Sequence, residues 1–300
     1  MGAVLRIGMV GLDTSHCTAF LELLHRPDHP YHVPGGRVVA AVPDFSEAMA
    51  VSRNRVEGFR KAMEAAGVAM VGTIEELGGL DAYFLENVDG RQHADRFERL
   101  AVFGKPIFID KPLACSVADA RRIQAVSQAR GAPVFSTSSL RYAAGIADGA
   151  VVEGTVRTCE AFGPMGVLDD FPRYFWYGIH SADVLFSKMG RGCRSVRAIS
   201  LPDADLLVGV WEDGRLGSIR GHRFGQSAFG FTLWTEKTVR WGLAAAEPPY
   251  YASLLQQVIP FFQTGRAPVS LDETIEVVAF LEAAEKSRIR NGEAVALFGE

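Results

Sequence analysis

Short apolar runs alternate with helical patterns through the first 137 residues, and no other feature of the chain restricts its fold as strongly. Each run gives way to turn residues or an acid, and helical patterns fill most of the intervening segments. Strands that alternate with helices pair in a mostly parallel, doubly wound sheet. The runs that we predict as strands of this sheet are 4–10, 37–42, 69–71, 81–85, 107–109 and 134–137.

The pattern changes after about residue 140, where apolar and polar residues alternate as in antiparallel strands. The alternating stretches are 194–200, 205–211, 217–221 and 229–234. One helix is predicted around 178–186 and another at about 270–292. We therefore expect two domains, 1–140 and 141–300, the second with an α+β arrangement. The last helix is a candidate to pack back on the first domain.

Composition excludes several classes of function. The 300 residues carry a net charge of −4 with both signs spread along the chain, so we expect no nucleic-acid partner. No apolar run is long enough to span a bilayer, and the N-terminus lacks a signal pattern, so we expect no membrane partner. The four cysteines are scattered without a C-x-x-C motif, which is typical of a reducing compartment. A cytoplasmic location is the expectation.

A glycine turn follows the first predicted strand and precedes a helical pattern, as at the start of a nucleotide-binding βαβ unit. If Gly11 is the first glycine of a G-x-G-x-x-G fingerprint, Asp13 and His16 stand at the second and third glycine positions. Thr14 and Ser15 are placed to donate hydrogen bonds to a phosphate at the helix N-terminus. The alternative is that Asp13, Thr14 or Ser15 caps the helix.

Polar residues follow two further strands at the same edge of the predicted sheet. Asp44 comes after the second strand, where an acid binds the adenine-ribose hydroxyls and favours NAD over NADP. Asn87 lies in the loop after the fourth strand and is a further candidate to contact the cofactor. Ligands of open α/β sheets bind outside these carboxyl ends of the strands.

The fifth strand runs directly into Asp110, Lys111 and Pro112. Pro112 cannot continue a central strand, so Lys111 stands where a buried strand gives way to a loop. A lysine that is partly desolvated there has a lowered pKa and can serve in proton transfer. The alternative is a lysine that only caps the end of a strand.

His25, His29 and His32 form a histidine-rich segment that is interrupted by Pro27 and Pro30. The spacing of these histidines matches no metal motif, and the prolines favour a surface loop. We therefore expect no metal. In the second half of the chain, His180 and Asp183 are three residues apart and share one face of the predicted helix.

Together these motifs resemble the glucose–fructose oxidoreductase, inositol dehydrogenase and MocA-like family over nearly the whole chain. No single motif is specific, but their order and spacing are. The segments that carry the resemblance are 6–11, 104–105, 110–112, 141–142, 178–183 and 268–295.

The resemblance implies a Rossmann domain that binds NAD or NADP and a second domain with a mostly antiparallel, open sheet. That open sheet often makes subunit contacts in the family, which implies a homodimer or homotetramer. The implied chemistry transfers a hydride to or from a hydroxyl-bearing carbon of a sugar, cyclitol or other small polyol. Lys111 matches a lysine near nicotinamide and substrate, and His180 matches the acid/base.

The resemblance and the patterns together assign three sets of site residues. The catalytic candidates are Lys111 and His180. The cofactor candidates are Gly11, Asp13, Thr14, Ser15, His16, Asp44, Asn87, Asp110 and Lys111. The substrate candidates are Arg141, Trp176, Tyr177 and Asp183.

Two departures from the family pattern leave alternatives open. Trp176 stands where the family commonly has an aspartate that orients the histidine. The aromatic stretch 174–177 lines a sugar face or, alternatively, packs in a core. The altered glycine loop raises the hypothesis of a redox-inactive protein that binds a ligand. A third hypothesis is an enzyme that keeps its cofactor bound and oxidises its substrate only transiently.

Overall fold

The computed structural model describes residues 4–150, 153–225 and 228–299. The described chain forms two compact units. At the end of the parallel sheet, the chain passes from the first unit to the second after residue 137. The first unit contains residues 4–114, 118–137 and 251–271. The second unit contains residues 115–117, 138–250 and 272–299. This division is less simple than the expected boundary at residue 140, because residues 251–271 return to the first unit.

The first unit has a six-stranded parallel sheet, as the alternation of strands and helices predicts. Its strands are β1 (Leu5–Val10), β2 (Gly36–Val42), β3 (Ala69–Met70), β4 (Ala82–Leu85), β5 (Ile107–Ile109) and β6 (Val134–Ser136). Its connecting helices are α1 (His16–His25), α2 (Ala50–Ala65), α3 (His93–Ala101) and α4 (Val117–Arg130). The strand order is β3-β2-β1-β4-β5-β6, so the order reverses between β1 and β4. Ligands of such sheets bind at this point of reversal.

The second unit is built on a seven-stranded mixed sheet. Its elements are β7 (Val156–Pro164), α5 (Arg173–Trp176), α6 (Gly178–Met189), β8 (Cys193–Ser200), β9 (Ala204–Trp211), β10 (Leu216–His222), β11 (Gly230–Thr235) and β12 (Val239–Leu243). After α7 (Tyr250–Thr264), which belongs to the first unit, come α8 (Leu271–Ile289) and β13 (Val295–Ala296). The strand order is β12-β11-β7-β10-β9-β8-β13, and only the β7–β10 pair is parallel.

Period-two burial explains how the second sheet is covered. Along β9, buried and half-buried residues alternate, which places Trp211 on the covered face. The ring of Phe186 from α6 lies against Trp211 and against Phe280 from α8. On α8, Glu276 accepts hydrogen bonds from the backbone N–H groups of Gly192 and Cys193, so the helix is tied to β8.

The core of the first unit contains a cluster of phenylalanines that joins three of its strands to α7. Phe84 of β4 packs edge-on against Phe262, and Phe135 of β6 packs edge-on against Phe261. Phe108 of the central strand β5 touches both Phe84 and Phe135. The aromatic cluster consists of Phe20, Phe84, Phe108, Phe135, Phe261 and Phe262.

Several local features differ from what the sequence patterns predict. The spacing of Asp89 and Gln92 predicts a cap for a helix that carries Arg91 and His93, but α3 begins at His93 and Gln92 makes no capping bond through its side chain. The capping box that begins at Thr73 predicts a short helix, but the chain forms only a single 3₁₀ turn over Ile74–Leu77. Strand β12 lacks a clear apolar alternation, and the sequence of α7 contains Pro260, so neither element was predicted. No helix among residues 4–150, 153–225 and 228–299 is long and apolar enough to cross a membrane.

Replacing Phe108 with alanine should lower the free energy of unfolding by about 3–5 kcal/mol, because the cavity cannot close between the rings of Phe20, Phe84 and Phe135. Phe108 is fully buried, whereas Phe224 is 62% exposed. The Phe224→Ala control should change the free energy of unfolding by no more than about 0.5 kcal/mol. Urea unfolding followed by circular dichroism measures both, and equal midpoints for the two variants would contradict the packing described.

Candidate active site

The turn after β1 requires glycine at its first position. Gly11 has a φ of +89°, and a Cβ built on it would lie 2.4 Å from the backbone nitrogen of Asn87. The Gly11 N–H donates to the carbonyl of Val42, and the next N–H, that of Leu12, donates to the carbonyl of Asp44. The turn therefore lies tightly between the loops that follow β2 and β4, at the point where the strand order reverses.

Asp13 points into the protein. One carboxylate oxygen accepts a hydrogen bond from Ser52 Oγ at 2.7 Å, and the other accepts one from the Val88 N–H at 3.0 Å. The side chain is completely buried, and burial raises the pKa of Asp13 to about 6 although both hydrogen bonds favour the charged form. The residue at the second glycine position thus ties the turn to α2 and to the loop after β4.

The next two residues, Thr14 and Ser15, differ in burial and in hydrogen bonding. Thr14 is buried, and its Oγ1 accepts a long hydrogen bond of 3.4 Å from the His16 N–H. Ser15 is exposed and makes no capping bond through its side chain. Of the three residues proposed either to cap α1 or to meet a phosphate, Thr14 caps weakly and Ser15 alone faces solvent.

Asp44 lies at the carboxyl end of β2 and keeps a partly exposed side chain. Its carboxylate forms an ion pair with Arg96 of α3, with an Nε–Oδ2 distance of 2.7 Å, and accepts a hydrogen bond from Asn87 Nδ2 at 3.1 Å. Asn87 itself is buried, and its Oδ1 has no hydrogen-bond partner among the described residues. Two of the predicted cofactor residues, Asp44 and Asn87, are therefore in direct contact.

A buried group of three titratable side chains lies at the same edge of the sheet. His16 Nδ1 is 2.9 Å from Asp110 Oδ2 and 3.8 Å from Glu86 Oε2. Burial and the charge of Asp110 raise the pKa of Glu86 well above its ordinary value. Although burial opposes ionisation of Asp110, the neighbouring His16 and Lys111 hold its pKa at about 2.

Lys111 follows Asp110 at the end of β5 and is 9% exposed. The loop around it is held by His93, whose ring nitrogens lie 2.8 Å from the Pro112 carbonyl oxygen and 2.7 Å from that of Asn87. His93 therefore links the loops after β4 and β5. The structure thus brings Gly11, Asp13, His16, Asn87, Asp110 and Lys111 to one edge of the first sheet.

In the second unit, His180 has a partner that the sequence did not indicate. Its Nδ1 lies 2.7 Å from Ser138 Oγ, and the same oxygen accepts a bond from the Leu140 N–H at 3.2 Å. Asp183 accepts a hydrogen bond of 2.6 Å from the Ser138 N–H and an ion pair from Arg141. Asp183 and Arg141 therefore position the residue that contacts the histidine.

A cleft of about 530 Å³ opens beside His180 within the second unit. It is lined by Pro164, Gly166, Tyr177, His222, Arg223, Phe224, Gly225 and Phe229. The rings of Tyr177 and Phe229 pack edge-on against the His180 ring at 5.9 and 5.4 Å. Trp176 is not among the lining residues and lies against Phe171 and Tyr177.

The aromatic stretch 174–177 therefore lies partly in the core and partly at the cleft. Tyr174 and Phe175 are buried in the core, whereas Tyr177 lines the cleft. Sequence reasoning missed Glu86 and Ser138. Glu86 directly follows a buried strand, as Asp110 does, and the same signal would have found it. Nothing local distinguishes Ser138 from its serine and threonine neighbours.

Replacing Asp13 with asparagine should flatten the pH dependence of stability. Because the pKa is 3.8 in the unfolded chain and about 6 when folded, the folded state binds more protons between these values. Between pH 4 and 6, the free energy of unfolding should therefore fall by about 2–3 kcal/mol more in the unmodified protein than in Asp13→Asn. Asp169→Asn, at an exposed acid, should keep the slope of the unmodified protein. Denaturant titrations at several pH values measure all three, and equal slopes in Asp13→Asn and the unmodified protein refute the assignment.

No protein-family model matches the chain, and no curated protein matches it. Solved structures do match over nearly the full length. A myo-inositol dehydrogenase from Lactobacillus casei, in complex with NAD(H) and myo-inositol, is 16% identical over 99% of this chain and 98% of its own, with a TM-score of 0.77.

Two further structures agree. GenD2 from gentamicin A biosynthesis, in complex with NAD, is 17% identical over 100% of this chain and 98% of its own, with a TM-score of 0.77. A probable dehydrogenase from Thermotoga maritima is 18% identical over 98% and 99% of the two chains, with a TM-score of 0.76. The predicted fold class is confirmed: the chain has the fold of the glucose–fructose oxidoreductase, inositol dehydrogenase and MocA-like proteins.

Proposed function

We propose that the chain is an NAD(P)-dependent oxidoreductase that transfers a hydride to or from a hydroxyl-bearing carbon of a small sugar, cyclitol or polyol. The observation that carries the proposal is the glycine turn at the reversal of strand order. Gly11 and the exposed Ser15 at the start of α1 occupy the place where this type of sheet binds a pyrophosphate.

The residues present fit a dinucleotide at this edge. Gly11 brings the backbone close to Asn87, whose buried Oδ1 has no hydrogen-bond partner among the described residues. Asp44 would accept hydrogen bonds from the adenine-ribose hydroxyls. It would favour NAD, because the 2′-phosphate of NADP would place a negative charge next to the Asp44 carboxylate. A bound nicotinamide would supply the hydride donor or acceptor.

His180 is the proposed proton acceptor. If its Nδ1 carries the proton and donates to Ser138 Oγ, that oxygen accepts from both His180 and Leu140. The Nε2 of the neutral imidazole then carries the lone pair that can accept the hydroxyl proton of the substrate. In this arrangement Ser138 does what the family's aspartate does at the position held here by Trp176.

Lys111 is the second proposed catalytic residue. Its ammonium group, at the end of β5, would stabilise the negative charge that develops on the substrate oxygen as its proton leaves. This stabilisation is strong only where water is largely excluded, and Lys111 is 9% exposed.

The cleft in the second unit suits an uncharged substrate. Tyr177 and Phe229 offer aromatic faces of the kind that pack on the C–H face of a sugar or cyclitol. Arg223 also lines the cleft, but its guanidinium forms an ion pair with the buried Asp205 and donates to three backbone carbonyls. Its charge is thus compensated, which favours a neutral polyol over an anion.

The bridge through Asp13 favours one competing function. Asp13 ties the turn to Ser52 and Val88. Its side chain therefore occupies a position at the strand reversal where a glycine would leave room for the dinucleotide. A protein that binds a small ligand without redox chemistry would retain the cleft of the second unit and lose affinity for the dinucleotide.

Titration with NADH and NADPH, followed by tryptophan quenching, separates these functions. Micromolar binding with NADH preferred supports the oxidoreductase. Replacing Asp44 with alanine should weaken NADH binding about tenfold, the equivalent of 1.4 kcal/mol for a lost charged hydrogen bond, with less effect on NADPH. Glu47→Ala, at a nearby exposed acid, serves as the control. If neither cofactor binds in reduced or oxidised form, the redox-inactive function takes precedence.

With a substrate found among sugars and cyclitols, Ser138→Ala should lower kcat about tenfold or more, because the imidazole loses control of its tautomer. The acidic limb of the pH profile of kcat should move as well, which a purely structural role would not produce. Ser187→Ala, a hydroxyl on α6 that bonds only a backbone carbonyl in the set described, is the matched control. An unchanged pH profile in Ser138→Ala would remove Ser138 from the mechanism.

A further inference from the structure

One side chain from the start of a helix and two from the ends of strands lie close together at one buried position in the first unit. His16 is the first residue of α1, Glu86 directly follows β4, and Asp110 directly follows β5. One ligand atom of each, His16 Nδ1 and a carboxylate oxygen of the two acids, lies within 4.8 Å of the other two. All three residues belong to the first unit, so the arrangement depends on that unit alone.

Burial makes this arrangement costly without a further partner. Glu86 is 0% exposed and Asp110 is 1% exposed. Both carboxylate oxygens of Glu86 lack a hydrogen-bond partner among the described residues. Buried carboxylates are otherwise hydrogen-bonded, paired or bound to a metal, because the free energy of removing them from water is large.

We propose that His16, Glu86 and Asp110 bind one divalent transition-metal ion. The donor set of one imidazole nitrogen and two carboxylates suits Zn²⁺ and Mn²⁺. Bonds of about 2.0–2.2 Å place neighbouring ligand atoms about 3.3–3.6 Å apart in a tetrahedral site and about 2.8–3.1 Å apart in an octahedral one. The distances from His16 Nδ1, 2.9 Å to Asp110 and 3.8 Å to Glu86, are within small rotations of the side chains from these geometries.

The surroundings hold the histidine ring in place for such a site. The His16 ring packs against Tyr251 with a centroid distance of 4.6 Å and stacks on Phe20 at 5.9 Å. Rings that fix a ligand's orientation reduce the conformational entropy that metal binding would cost. The ion would bind both buried carboxylates and would provide the partner that the Glu86 oxygens lack.

This metal site goes beyond the oxidoreductase proposal and does not rest on it. The histidine-rich segment with His25, His29 and His32 is the other source of imidazoles near the N-terminus, and the structure uses its rings locally. His25 Nε2 accepts from the Val38 N–H, and His32 Nδ1 lies 2.9 Å from the Leu23 carbonyl oxygen. The proposed ion therefore belongs to the buried group, which the expectation of no metal did not consider.

The test is a titration of the chelator-treated full chain with Co²⁺ and then Zn²⁺. We expect one Co²⁺ per chain with a visible d–d absorption band, displacement of that band by Zn²⁺, and a rise in the midpoint of thermal unfolding with the metal concentration. Glu86→Gln keeps the shape of the side chain and should weaken Co²⁺ binding at least a hundredfold. Asp110→Asn should do the same. His29→Asn is the control and should bind as the unmodified protein does.

The stability readout also works without metal. Because a glutamine is neutral, Glu86→Gln should be at least as stable as the unmodified chain in chelator and should lose only the increase that Zn²⁺ produces. The proposal is overturned if the unmodified chain takes up no stoichiometric Co²⁺, or if binding survives Glu86→Gln and is lost in His29→Asn. NADH titration of the same chelator-treated sample shows separately whether the dinucleotide binds, so the two proposals fail independently.

Discussion

Acids in the segments that follow the buried strands need polar partners, and this requirement organises the first unit. Asp13 contacts Ser52 and the Val88 N–H, Asp44 contacts Arg96, and Asp110 contacts His16. Each contact joins the segment after one strand to a helix or loop that follows another strand, so polar bonds hold the carboxyl edge of the sheet together. The same edge is where a parallel sheet binds ligands. Stability and any ligand affinity therefore depend on the same carboxylates.

Much of this was predictable where a residue's role follows from its place in the strand pattern. Apolar runs located every strand of the parallel sheet, and the residues after them located Asp44, Asn87 and Asp110. The pattern does not show the direction in which a side chain turns. Asp13 was a candidate to contact the cofactor or to cap α1, yet its carboxylate points inward to Ser52 and Val88, which come from segments distant in sequence.

The second unit shows the same limit more strongly. Ser138 contacts His180 across 42 residues of sequence, and no periodicity reports such a pairing. Strand β7 was not predicted because its sequence has no clear alternation of apolar and polar residues. It nevertheless lies inside the sheet, between β10 and β11. The proposed mechanism depends on these distant contacts: Asp183 and Arg141 fix Ser138, and Ser138 fixes the imidazole.

Residues 251–271 return to the first unit and residues 272–299 belong again to the second, so the two units alternate along the sequence. The aromatic cluster receives Phe261 and Phe262 from this late segment. During synthesis, the apolar face of the first sheet stays exposed until α7 has left the ribosome, when most of the chain has already been made. A fragment cut at the end of the parallel sheet would lack Phe261 and Phe262 and would expose Phe84 and Phe135 to water, so the unit is a domain in space but not in sequence.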